Sequence, residues 1–273
     1  FNICQHRGGP IVDKDNCYKQ FQCQYHGWIY TNEGKLKNAR GFDKSELKKS
    51  DFDLKEINVS VWNGLMFINF DKRCNSLESI YEKLEKRINK RNFSSYQFYK
   101  RDSYNIACNW KIYMDNYLEG LHIPIVHPEL NKTINYKSYK TETHDQFSLQ
   151  WCSIDPQLNP YKNDSSEDLI AYYVTIFPNV ILNIAPGRLQ TNIVEPIDEK
   201  NCSVHFDYYF EQIDEKQIQK DLDFSDIIQR EDIEICESVQ ASYEAKGFKN
   251  GVISKKYESG ILHFHSRLKE ILL

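Results

Sequence analysis

The sequence predicts an α+β protein made of two unlike domains. At 273 residues the chain exceeds one ordinary domain. Its composition shifts near residue 72, from short strands punctuated by turns to helical patterning. Few strands alternate directly with helices, which argues against a doubly wound parallel sheet. Domains are therefore expected over residues 1–72 and 73–273.

The first domain reads as short strands and turns. "RGGP" (7–10) and "TNEGK" (31–35) carry turn chemistry. "INVSVWNGLMFINFD" (57–71) reads as a hairpin around Asn63-Gly64. A helix is expected next, capped by Asn75 with Glu78 in the capping box. Its apolar stripe is Leu77, Ile80, Tyr81, Leu84 and Ile88. "NWKIYMDNYLEGLH" (109–122) predicts a helix that stops before Pro124. "LIAYYVTIFPNVILNIA" (169–185) predicts two strands split by Pro178-Asn179. "CSVHFDYYFEQ" (202–212) predicts a third, with Val204, Phe206, Tyr208 and Phe210 on one face. A long helix is expected over 224–247, with Ser225 at its N-cap and Gly247 at its stop.

Bulk properties exclude several classes. A formal net charge of -4 and interspersed Lys and Glu give no footprint for nucleic acid. No apolar run is long enough to span a bilayer, and no signal peptide is visible, so no membrane association is expected. Eight cysteines are too few for a disulfide scaffold, and Cys17, Cys74, Cys108, Cys152, Cys202 and Cys236 are scattered without paired spacing, which suits a reducing, cytoplasmic compartment.

Two of those cysteines sit in a pattern of their own. "CQHRGG" and "CQYHGW" place Cys4 with His6 and Cys23 with His26. Two thiolates and two imidazoles suit a metal. Zinc accepts the ligand types, but zinc fingers usually pair Cys with Cys and His with His along the chain. One Cys and one His per arm suits a two-iron cluster, with the Cys pair on one iron and the His pair on the other. Gly8, Gly9 and Gly27 allow close backbone approach. The pair of motifs resembles that of the Rieske [2Fe-2S] domain. Gly9 and Tyr25 occupy the places where respiratory Rieske proteins carry extra cysteines, so the resemblance is to the ferredoxin and oxygenase types.

A second constellation follows in "NWKIYMDNYLEGLHIPIVHPEL". On a continuous helix Asp115, Glu119 and His122 share one face. His127 shares a metal with His122 only if Pro124 breaks the helix between them. Two His and one carboxylate form the facial triad of non-heme iron oxygenases. Asp232, in "QREDIEICESVQ", is the best third ligand; of Glu231 and Asp232, one is expected to face inward. Asp115 is as readily a solvated helix charge, and His144, His205, His263 and His265 have no ligand-like company.

Across its whole length the chain then resembles the catalytic alpha subunit of Rieske non-heme iron oxygenases, the ring-hydroxylating superfamily that includes choline-monooxygenase-like members. E-x-x-H-x-x-x-x-H at 119–127 matches the family motif, "ESVQ" after Asp232 resembles its late ligand helix, and "FPNVILNIAPGRLQTN" and "ESGILHFH" resemble further segments. The resemblance implies an antiparallel β Rieske domain followed by a helix-grip (START/Bet v 1-like) catalytic domain. It implies a [2Fe-2S] cluster on Cys4, His6, Cys23 and His26, and a mononuclear Fe(II) on His122, His127 and Asp232. It makes Glu119 the catalytic link between a cluster His, His26 best, and His122 of a neighbouring subunit. It implies O2-dependent mono- or dioxygenation of a small aromatic or quaternary ammonium substrate. Electrons come from NAD(P)H through a reductase, with or without a ferredoxin, and the assembly is a homotrimer or a multiple of one. The family carries a further N-terminal stretch before the first Cys, so the Rieske domain is expected to be truncated.

The substrate is open at this level. A quaternary ammonium wants an aromatic cage; an aromatic acid wants an apolar slot and an Arg, for which Arg188 is available unless it lies on the surface. Two other classes compete: a stand-alone Rieske electron carrier, and a ligand-binding homologue without catalytic iron. The first leaves 119–127 and Asp232 unexplained; the second predicts a cluster but no mononuclear Fe(II).

Overall fold

The computed structural model describes residues 1–15, 17–43, 45–88, 91–155 and 169–273. It divides into two compact units, Phe1–Tyr81 and Glu82–Leu273.

In the first unit β1 (Phe21–Gln22), β2 (Ile29–Tyr30) and β3 (Leu36–Asn38) form a three-stranded antiparallel sheet. Trp28, Tyr30, Leu36 and Ile11 are buried with Cys4 and Cys23 in one small core. β4 (Asn58–Trp62) and β5 (Leu65–Asn69) form the expected hairpin. Asn63 at φ 50° and Gly64 at φ 82° give the two left-handed positions of a type I′ turn.

Helix α1 (Leu77–Arg87) begins later than its expected cap. Ser76, not Asn75, sits before it and accepts from the Ser79 N–H at 3.4 Å. Leu84 and Ile88 of its stripe are fully buried. The division between the units falls inside α1.

The second unit is organised by one sheet. Its strands are β6 (Gln97–Ile106), β7 (Lys140–Thr143), β8 (Phe147–Ser153), β9 (Ile170–Ile176), β10 (Val180–Ala185), β11 (Arg188–Pro196) and β12 (Cys202–Phe210). Their order is β6-β12-β11-β10-β9-β8-β7, with every pairing antiparallel. Period-2 alternation holds on β12, where Val204, Phe206, Tyr208 and Phe210 all face the core.

Between β6 and β7 lie α2 (Trp110–Tyr117), α3 (Ile123–Val126) and α4 (Pro128–Thr133). The expected helix over 109–122 is therefore α2 followed by a turn, and α3 begins only at Ile123. Asn109 caps α2, accepting from the Lys111 N–H at 3.1 Å. Pro124 opens α3 rather than ending a helix, because a first-turn proline lacks only an N–H that has no helical partner. Asp115 thus parts from Glu119 and His122, and its carboxylate meets His265 Nε2 at 2.9 Å instead.

Two helices follow the sheet, α5 (Glu215–Glu244) and α6 (Ser259–Leu272). The long helix begins nine residues ahead of its expected start, since Asp214 caps it by accepting from the N–H groups of Lys216 and Gln217. Ser225 lies inside α5, bonded to the Tyr208 hydroxyl at 3.0 Å. The left-handed residue at the C-terminus is Lys246, at φ 57°, not Gly247. Ile218, Asp221, Leu222, Gln229, Cys236 and Gln240 are the buried residues of α5, and Ile218, Leu222 and Cys236 pack with the inner residues of β12.

Helix α6 packs against the end of α2 at Gly260. A Cβ there would lie 2.4 Å from the Leu118 carbonyl oxygen, a backbone atom that cannot step aside. Gly260→Ala is expected to destabilise by about 1–3 kcal/mol, read as a lowered Tm.

Candidate metal centres and cavity

Two six-residue loops of the first unit share one backbone frame. In Cys4–Gly9 the Gly8 N–H donates to the Cys4 carbonyl at 2.9 Å, and the Cys4 N–H donates to the Gly9 carbonyl at 2.9 Å. In Cys23–Trp28 the Gly27 N–H donates to the Cys23 carbonyl at 3.0 Å, and the Cys23 N–H donates to the Trp28 carbonyl at 2.8 Å. Gly8 and Gly27, at φ 73° and 74°, supply the left-handed step that closes each loop.

The loops bring the His6 and His26 rings to 4.6 Å between centroids, and Trp28 stacks on His6 at 4.8 Å. Cys4 and Cys23 are buried and free of disulfides. The Tyr30 hydroxyl lies 3.3 Å from Cys4 Sγ, and the Tyr25 N–H lies 3.5 Å from Cys23 Sγ. A Cβ on Gly9 would come within 3.0 Å of Cys23 Sγ, so the bare backbone is what fits there. His6 Nδ1 is buried with no hydrogen-bond partner. Such an atom is costly to bury unless something binds it. The donor set and this orphaned nitrogen fit an iron–sulfur cluster held by two Cys and two His.

In the second unit the turn after α2, the α3–α4 junction and α5 converge. Ligand atoms of His122, His127 and Asp232 all lie within 4.8 Å of one another. His127 Nε2 is 3.0 Å and His122 Nε2 3.9 Å from the same Asp232 oxygen. Each imidazole is held from behind. Glu119 accepts from His122 Nδ1 and from the Leu121 N–H; Glu231 accepts from His127 Nδ1 at 2.7 Å. Both Nδ1 atoms are thereby occupied and both Nε2 atoms face the carboxylate of Asp232.

This is the tautomer and orientation that metal-binding imidazoles need, and two neutral imidazoles with one carboxylate suit non-heme iron. Burial pulls the His127 pKa down, but Asp232 and Glu231 outweigh it and the net shift is upward.

Three outer partners escape a reading of the sequence. Glu231 faces the site together with Asp232, because the two carboxylates grip opposite nitrogens of one ring. Asn116 of α2 donates to Asp232 Oδ1 at 2.6 Å. Gln229 accepts from the Tyr113 hydroxyl at 2.8 Å and tethers α5 to α2. Only the i, i+3 spacing of Gln229 to Asp232 on one helical face offered a signal. Glu231→Gln is expected to weaken iron binding about 10- to 100-fold, read by titration of the apoprotein with Fe(II).

The three residues open on a cavity of about 110 Å3. Tyr117, Tyr139, Tyr173 and Phe206 line it, with Asn183, Gln190, Asn192, Arg188 and Ser225 as polar wall. Tyr173 lies 6.5 Å from Tyr117 and 6.4 Å from Tyr139 between ring centroids. The Tyr117 and Tyr139 hydroxyls donate to Asn183 and Gln150 at 2.7 and 3.0 Å. Burial pushes both phenols well above their usual range, so they stay protonated donors. A Cβ on Gly120 would strike the Tyr139 ring at 2.6 Å, which explains a glycine between Glu119 and His122. Arg188 is buried rather than on the surface, paired with Asp221.

Two metal-binding arrangements on two such units define a class, and the family comparisons agree. Residues 1–61 match the Rieske [2Fe-2S] domain, and residues 93–273 match the ring-hydroxylating alpha subunit catalytic domain. The chain belongs to this family of alpha subunits, whose domains imply a Rieske cluster and a mononuclear iron. Its relatives include the chloroplastic choline monooxygenase of Arabidopsis thaliana, 30% identical over 285 residues, covering 98% of this chain and 67% of that protein. The choline monooxygenase of Amaranthus tricolor is 27% identical over 282 residues, 99% of this chain and 63% of the relative. The carnitine monooxygenase oxygenase subunit of Escherichia coli is 27% identical over 286 residues, 99% of this chain and 76% of the relative. The chain thus spans 63% of the Amaranthus relative's length, 67% of the Arabidopsis one and 76% of the Escherichia coli one. Among solved structures, the quaternary ammonium Rieske monooxygenase CntA superposes with a TM-score of 0.80 at 24% identity, covering 99% of this chain and 77% of its own. The naphthalene 1,2-dioxygenase of Rhodococcus sp. gives 0.71 at 18% identity, covering 100% and 80%. Among the described residues no helix is long and apolar enough to cross a membrane.

Proposed function

We propose that this chain is the oxygenase component of a Rieske system that hydroxylates a small quaternary ammonium compound with O2. The observation that carries the reading is a two-His, one-carboxylate cluster at the wall of a cavity lined by three neighbouring tyrosines. Tyrosine faces attract an onium group through their ring quadrupole. Two tyrosine hydroxyls are turned to protein partners, while the rings line the cavity. The cavity is small beside the roughly 300–1,000 Å3 of drug-sized ligand sites. Choline and carnitine monooxygenases among the relatives support the same class.

In this reading Cys4, His6, Cys23 and His26 hold the cluster, and His122, His127 and Asp232 hold the iron. When bound, the cluster supplies single electrons and the iron supplies open positions for dioxygen. Glu119 and Glu231 keep the Nδ1 protons of His122 and His127 in place, and Asn116 fixes the Asp232 oxygen that both Nε2 atoms face. Glu119 is also the proposed link to a cluster His of a neighbouring subunit, His26 best, in a trimer or a multiple of one. A reductase, with or without a ferredoxin, brings electrons from NAD(P)H. A reducing cytoplasm suits cysteines that form no disulfide among the described residues.

Oxygen uptake by the iron-loaded protein, with a surrogate reductase and NADH, tests this. Choline, carnitine and betaine form one arm; benzoate and related aromatic acids form the other. Uptake coupled to the onium arm is expected, with product analysis separating mono- from dioxygenation. Uptake coupled only to the aromatic arm would overturn the substrate class. A content of about three irons and two sulfides per chain is expected; two irons and no more would favour an electron carrier or a ligand-binding homologue.

A further inference from the structure

The cavity has a second pole that the oxygenase reading leaves unassigned. Arg188, Gln190 and Asn192 are alternate residues of β11, so they share its inner face, and all three are buried. Polar groups are costly in a core unless they bond to one another or to a ligand. Here they are wired in series. Arg188 Nη2 donates to Gln190 Oε1, and Gln190 Nε2 donates to Asn192 Oδ1 at 2.7 Å. Ser225 on α5 donates to the same Gln190 oxygen at 3.3 Å. Ser225 and Asp232 are two turns apart on α5, about 10 Å of helical rise.

Arg188 is the only Arg or Lys among the described residues that line the cavity. Its charge is already matched. Asp221 Oδ2 lies 3.0 Å from Arg188 Nε, with both side chains almost wholly buried, and the guanidinium lies over the Tyr208 ring at 5.4 Å. Burial pushes the Asp221 carboxyl up to about 6, against the pull of Arg188. In and behind the cavity wall, Glu119, Glu231, Asp232 and Asp221 outnumber Arg188 by three carboxylates. A divalent ion cancels two.

We propose that the wall of Arg188, Gln190 and Asn192, neutralised by Asp221, is the specificity determinant of this pocket: it admits an onium or hydroxyl-bearing end and excludes a carboxylate end. A carboxylate reaching it gives up water beside a guanidinium whose charge is spent, in surroundings that are negative overall. A hydroxyl meets neutral amide donors and acceptors, and a cation meets the excess of carboxylates. This rests on the quaternary ammonium reading and divides that class in two.

The test is calorimetric binding of choline and of carnitine to the anaerobic, iron-loaded full chain. The expected result for the unaltered protein is choline bound at least about tenfold tighter. Asp221→Asn takes the carboxylate charge from beside Arg188, and the ratio is expected to move toward carnitine by about tenfold or more. Should that variant not fold, the double variant Arg188→Gln, Asp221→Asn carries neither charge and is expected to keep the preference for choline. Equal or tighter binding of carnitine by the unaltered protein overturns the proposal, as does loss of the preference in the double variant. Coupled oxygen uptake, read separately on the same preparations, tells whether the oxygenase reading fails with it.

Discussion

Asp232→Ala is expected to remove the mononuclear iron and leave the cluster. Asp232 supplies the only carboxylate among the three gathered ligand residues, and its Oδ1 is the atom that both Nε2 atoms face. Without it two neutral imidazoles remain, a poor site for Fe(II). Losing an outer partner of a ligand typically costs 10- to 100-fold in metal affinity or activity, so losing a ligand should lower coupled uptake by more than about a hundredfold. The loops at Cys4 and Cys23 belong to the other compact unit. The visible absorbance of the cluster is therefore expected to persist, and iron analysis should fall by one per chain. Unchanged iron content with full uptake would remove Asp232 from the ligand set. The conservative Asp232→Glu lengthens the arm by one methylene and should restore part of the iron but little of the turnover.

Glu119→Gln separates positioning from metal holding. The carboxylate accepts twice, from His122 Nδ1 and from the Leu121 N–H. An amide offers one oxygen and one NH2, so one of those two donors would face another donor. The His122 ring should keep its place at the metal, because Nε2 is the nitrogen turned to Asp232. Both iron centres are expected to stay, with iron bound up to about tenfold more weakly, while turnover falls about a hundredfold or more. Rapid-mixing spectra should show the cluster reduced by the reductase but slow to reoxidise with substrate and O2. Full turnover would deny Glu119 the linking role. Loss of both iron centres would make it a structural residue of the turn.

The two parts of this protein were legible to different degrees. Local geometry was readable where spacing alone imposes it. The Asn63-Gly64 hairpin is one case, because a two-residue turn with left-handed residues admits few sequences. Alternation on β12 is another. The Cys4/His6 and Cys23/His26 arms also belong here, since each loop closes on itself through backbone bonds four and five residues apart. Helix limits were less legible. Ser225 is a good cap by residue type, yet it serves inside α5 as a hydrogen-bond partner of Tyr208, and Asp214 caps the helix instead. The run at 109–122 has helical periodicity, but the chain turns at Leu118–Leu121, with Gly120 so close to the Tyr139 ring that no side chain fits.

The sequence by itself determined which residue types were available for metals: two Cys–His arms, the 119–127 motif, and an acidic pair at 231–232. These are read from spacing along the chain, and short spacings survive folding. Only the tertiary structure decided how they are used. It turned both acidic residues of the pair onto one imidazole, set Asn116 against Asp232, and sent Asp115 away to His265. It also buried Arg188 against Asp221, 33 positions further along the chain. The physical reason is that ligand orientation and charge pairing depend on side chains from α2, α5 and β11 meeting in one place. Their separations along the chain carry no trace of that meeting.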